Sequence, residues 1–70
     1  MEIRLKSVDE FNKLLLRKGY SKRALANKGN MGQATIHQIS KGVRKPSPPV
    51  AKRILEALEV EFDEIFTIEK

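Results

Sequence analysis

SKRALANKGNMGQATIHQIS, residues Ser21 to Ser40, divides into two short helices at the glycine-containing turn Lys28-Gly29-Asn30. Ser21 is a preferred N-cap, and Tyr20 and Leu25 on either side of it have the spacing of a hydrophobic staple. Gly29 and Asn30 tolerate positive φ and so end the first of the two helices. Met31 and Ile36 repeat the staple spacing around a second start near Gly32. That second helix has Ile36 and Ile39 on its apolar side. Its other side presents Gln33, Ala34, Thr35, His37, Gln38 and Lys41.

The flanking chain supplies the cover these two helices need. Ser7-Val8-Asp9-Glu10 matches the capping box, with Asp9 and Glu10 opposing the positive end of the helix dipole. Val8, Phe11, Leu14 and Leu15 then form one apolar face, and Gly19 closes the helix. Gly42 ends the helix that carries Gln33, and Val43-Arg44-Lys45-Pro46 is a basic loop. Ser47 followed by Pro48 signals the next helix start. Val50, Ala51, Ile54, Leu55 and Leu58 make its buried stripe. Phe62, Ile65 and Phe66 are expected to add a last helical turn. Met1 to Lys6 and Phe66 to Glu69 both alternate apolar with polar residues, so the termini are expected to pair as an antiparallel ribbon, with Arg4 and Lys6 facing Glu69. The alternative is two frayed tails. The pattern therefore implies an all-α fold of five short helices with a short terminal ribbon, as a single domain over residues 1–70.

Seventy residues allow one small core, and without cysteine neither a disulfide nor a thiolate metal site can supplement it. No apolar run reaches the length of a membrane span or a signal-peptide core, so a cytoplasmic location is expected. The net charge is +5. From Phe11 to Leu55 there is no Asp or Glu, while eleven Lys and Arg occur there. A solvated face normally mixes both signs, so this centre suits a polyanion. Charge alone argues only modestly, because small basic proteins are common. The one histidine, His37, has no partners for a metal site or a catalytic triad. No phosphate-cradling glycine loop or activated nucleophile is present, and neither an enzyme nor a cofactor is expected.

From Tyr20 to Ile65 the chain resembles the helix-turn-helix family of phage repressors and Cro proteins (the XRE type). The resemblance rests on Ser21, Leu25, Ala26, Met31, Thr35, Ile36, Ile39, Gly42, Arg44-Lys45-Pro46-Ser47, Ile54, Ala57-Leu58, Val60 and Asp63-Glu64-Ile65. It implies a compact lambda-repressor-like domain, with residues 21–40 as the motif that reads a DNA operator. Four positions depart from the family pattern: Lys22 stands where glutamine is usual, Gly29-Asn30 where an apolar residue and glycine are, Gly32 where Ser or Thr is, and Glu59 where glycine often follows the fourth helix. Gly29 and Gly32 imply a looser turn and a weaker start to the reading helix.

The resemblance assigns base reading to Gln33, Ala34, Thr35 and Gln38. A glutamine amide can pair with adenine N6 and N7, and Ala34 and the Thr35 methyl can touch thymine methyls. Lys22, His37, Lys41, Arg44 and Lys45 are assigned to the DNA backbone, with Arg44 also able to enter a minor groove. Read without the family, each of these residues is ordinary solvated surface. A homodimer on a palindromic operator is the expected assembly. The competing function is a protein-binding modulator of another repressor, or an antitoxin, using the same fold; the soft turn, the Gly32 cap and the acidic end from Glu56 to Glu69 leave room for it.

Overall fold

The computed structural model describes residues Met1 to Lys70. The order is β1 (Glu2–Leu5), α1 (Val8–Lys18), α2 (Lys22–Lys28), α3 (Gln33–Ser40), α4 (Pro48–Leu58), α5 (Phe62–Ile65) and β2 (Phe66–Glu69). The five helices surround one core, in which Phe11, Leu15, Leu25, Ile36, Ile39, Ile54, Leu58 and Phe66 are buried. None of the helices is long and apolar enough to cross a membrane.

Most helix boundaries follow the local signals. Ser7 Oγ accepts the Glu10 amide at 3.2 Å, and Gly19 closes α1 in the left-handed conformation with φ 77°. The reciprocal half of the expected capping box is replaced: the Glu10 carboxylate lies 3.8 Å from Arg17, two turns along α1. Ser21 Oγ accepts the Ala24 amide at 3.0 Å. At the start of α4, Ser47 has the extended cap conformation but no side-chain bond, while Pro48 and Pro49 occupy the first turn. A proline there removes an amide that has no helical partner in any case.

The termini pair as expected. β1 and β2 are antiparallel, with Glu2 opposite Glu69, Ile3 opposite Ile68, Arg4 opposite Thr67 and Leu5 opposite Phe66. Leu5 and Phe66 point into the core; Ile68 lies further out and is exposed. Arg4 reaches Glu69 diagonally at 2.9 Å. Lys6 falls outside the ladder proper, and its amide donates to the Ile65 carbonyl at 2.9 Å. Phe66 belongs to the strand, not to the last helical turn. It turns extended at φ −116° and keeps its ring 5.5 Å from that of Phe62.

The turn between α2 and α3 is filled rather than loose. Asn30 takes the left-handed conformation (φ 54°), whereas Gly29 sits at φ −86°, which any residue can adopt. What Gly29 provides is room. A Cβ placed on it would come 2.3 Å from Met31 Cε, so the flexible methionine occupies the space that a side chain at 29 would take. Arg53 Nη1 donates to the Asn30 carbonyl at 3.2 Å and ties the turn to α4.

Glu59 ends α4 at φ 58° and ψ 47°. A Cβ-bearing residue is strained there, whereas glycine is not. Glu59→Gly is therefore expected to stabilise the fold by about 1 kcal/mol, read as a higher urea midpoint at unchanged slope.

Candidate nucleic-acid interface

Helix α3 is positioned from beneath and from its C-terminal end. Ile36 and Ile39 are fully buried and fix its rotation. At its C-terminal end, Ser40 Oγ donates to the His37 carbonyl at 2.8 Å. Asn12 Nδ2, on α1, donates to the Ser40 carbonyl at 3.0 Å and to the Val8 carbonyl at 2.8 Å. Asn12 is a support that the sequence reading missed. Its one visible signal was an amide placed beside the apolar face of α1. At the other end, Gly32 has cap geometry and no side chain to bond the first turn.

With α3 so held, Gln33, Ala34, His37 and Gln38 are exposed and Thr35 is half-buried. The expected residues gather in two groups. Lys22, at the start of α2, joins Gln33, Ala34 and His37 around one open depression. Arg44 reaches back from the loop after α3, where its Nη1 donates to Thr35 Oγ1 at 3.4 Å and to Gln38 Oε1 at 3.5 Å. Both bonds are at the long end of the hydrogen-bonding range. Lys41 is exposed at the end of α3, and its ammonium bonds no other side chain.

Lys45 stands apart from both groups. Its ammonium pairs with Glu2 and, at 2.9 Å, with Glu69, one carboxylate from each strand of the ribbon. These separations of 43 and 24 residues have no local signature in the sequence. The hydrogen bonds to Glu2 and then Glu69 raise the Lys45 pKa above its ordinary value. The bond to Lys45, then its charge, lowers the Glu69 pKa.

These shifts fix the pH dependence. Glu69 is depressed, so its contribution is complete above the ordinary carboxylate range and fades as pH falls through and below it. Lys45 is raised, so its contribution is complete below the ordinary lysine value and fades only at higher pH. Thermal scans are expected to show the Lys45–Glu69 contribution constant between about pH 6 and 9 and declining below about pH 4. Glu69→Gln should remove that part of the decline. Because none of the three side chains is buried, the change is small.

The matched proteins agree with this fold. A helix-turn-helix family model matches residues 12–65, which takes in α2, the turn, α3, the basic loop and the helices that cover them. Among solved structures, the crystal structure of the transcriptional regulator VanUg (Form II) superposes with a TM-score of 0.71 at 24% identity, covering 96% of this chain and 87% of that one. No curated protein sequence matches the chain significantly. The family match extends over most of the chain, and the structural likeness shows the same fold. The chain therefore belongs to the XRE-type helix-turn-helix family, a family of non-enzymatic DNA-binding regulators.

Proposed function

We propose that this protein is a sequence-specific transcriptional regulator of the Cro-like or phage-repressor kind. In this reading it binds a palindromic operator as a homodimer, with α3 in the major groove. The observation that carries the reading is the coincidence of two features. Gln33, Ala34, Thr35 and Gln38 lie along the outer side of a helix whose other side is locked into the core. Around them, from Phe11 to Leu55, the chain is cationic without a single acid. Side chains that can read base edges are thus surrounded by charges that can hold phosphates. Gln33, Ala34, Thr35 and Gln38 face bases; Lys22, His37, Lys41, Arg44 and Lys45 hold the backbone.

Selection of bound duplexes from random DNA at physiological salt tests the reading. An inverted repeat with half-sites about one helical turn apart supports it. An unenriched pool contradicts it and favours the binding of another repressor through the acidic end. Sedimentation tests the dimer separately; a monomer both free and on DNA contradicts that part.

Lys45 has to leave Glu2 and Glu69 to meet a phosphate. Glu2→Gln combined with Glu69→Gln is expected to tighten DNA binding. It should also steepen the dependence of log affinity on log salt by about 1, the contribution of one added phosphate contact. A salt titration of the double variant beside the parent checks this, and equal slopes contradict it.

A further inference from the structure

Arg44 lies against the reading helix instead of extending into the loop, and this constrains what Gln38 can recognise. A guanidinium carries only donors. The Gln38 atom turned toward Arg44 Nη1 is therefore its carbonyl oxygen, and the amide nitrogen is left pointing elsewhere. Thr35 Oγ1 also accepts from Arg44, which leaves its hydroxyl proton free to donate. The remaining N–H groups of Arg44, the Gln38 amide nitrogen and the Thr35 hydroxyl thus form a cluster rich in donors, and the one side-chain carbonyl among them is turned toward Arg44. Gln33, on the same helix, has no side-chain hydrogen bond and keeps both its donor and its acceptor.

We propose that Arg44 is a specificity-determining residue, and that the Arg44–Gln38 pair reads guanine. This deepens the DNA-reading function above and rests on it. In the major groove guanine offers two acceptors, N7 and O6. Adenine offers one acceptor and one donor, and pairs bidentately with a glutamine only when the glutamine oxygen faces N6. Cytosine offers a donor, which a donor cluster rejects, and thymine offers a single acceptor beside a methyl group. Two glutamines on one helix therefore read different bases: Gln33 adenine, and Gln38, with its oxygen held by Arg44, guanine. Arg44 acts here on a base edge as well as through its charge.

Selection from random duplex DNA with the full chain tests the pairing, using the parent, Arg44→Ala, Gln38→Ala and the double variant. Arg44 and Gln38 are both exposed, so all four proteins should keep the parent helical circular dichroism. The parent is expected to enrich guanine at one base pair per half-site. Gln38→Ala should weaken that preference without changing the base, because Arg44 keeps its donors. Arg44→Ala should free the glutamine oxygen and move the preference at the same base pair from guanine toward adenine, with guanine falling roughly tenfold. The double variant should show no preference at that base pair. If Arg44→Ala lowers affinity evenly for all sequences and leaves the preferred base unchanged, Arg44 is a phosphate contact and the proposal is overturned. Adenine at the Gln38 base pair in the parent also overturns it. An unenriched parent pool overturns the DNA-reading function along with it, and that flat parent profile tells the two failures apart.

Discussion

Phe66→Ala is expected to leave the protein largely unfolded at 25 °C. Phe66 is fully buried, and it is the residue at which the last helix becomes the last strand. Its ring packs beside Phe62, and its backbone stands opposite Leu5 in the ribbon. Truncating a buried phenylalanine to alanine costs about 3–5 kcal/mol, from lost burial and from the cavity left behind. A single core in a chain this short supplies rarely more than about 3–5 kcal/mol in total. The loss therefore equals the reserve. Urea titration followed by helical circular dichroism should show the parent with a cooperative transition and the variant with little folded baseline. Ile68→Ala is the control. It stands two residues further along the same strand with more than half its surface exposed, and its change should stay below about 1 kcal/mol. A Phe66→Ala protein as stable as Ile68→Ala would mean that the ribbon is not part of the core.

Gln33→Ala is the second large effect, and it falls on recognition instead of folding. Gln33 occupies the first turn of α3, is exposed, and bonds no other side chain. Removing it should leave the urea midpoint unchanged. In the proposed complex its free amide donates from the nitrogen to adenine N7 and accepts at the oxygen from adenine N6, so the variant should lose discrimination at that adenine. The expected loss is about 1–3 kcal/mol at that base pair, with little change elsewhere in the site. Competition between the preferred duplex and single-base variants of it measures the loss position by position. A uniform drop across all duplexes would make Gln33 a backbone contact.

The two effects separate cleanly because the fold was legible in the sequence to a greater depth than the site. Caps and periodicity are local, and they placed the helices: Ser7 and Gly19 bound α1, Ser21 starts α2, and Pro48 opens α4 where expected. The alternating ends predicted the ribbon, because two short strands with no other partner must satisfy their backbone groups on each other. Three features escaped local reading. The Glu10 carboxylate had two partners within reach, and the cationic Arg17 took it from the Ser7 amide. Gly29 and Asn30 both suited a left-handed turn; Asn30 alone supplies the positive φ, and what escaped is that Gly29 serves Met31 by leaving room. Glu59 takes a left-handed conformation that its side chain disfavours, because the turn into α5 requires it.

At the interface the residues expected on α3 are where the pattern put them, since burying Ile36 and Ile39 decides which way the others face. The loop was less legible. Arg44 and Lys45 are adjacent and chemically alike in sequence, yet one lies on α3 and the other on the ribbon. Lys45 is drawn to Glu2 and Glu69, which become neighbours only once the termini have paired. Asn12 likewise supports Ser40 across a separation of 28 residues. Contacts of that range follow from the assembled fold and leave no spacing to read.

The central claim is that α3 and the basic loop after it form the DNA-binding face. The most direct measurement is the change in backbone amide chemical shifts as short duplex DNA is added to isotope-labelled protein at low salt. Shifts are expected at Lys22, from Gln33 to Gln38, and from Lys41 to Lys45, with the acidic segment from Glu56 to Glu64 unmoved. Shifts confined to that acidic segment, or none at all, would contradict the account.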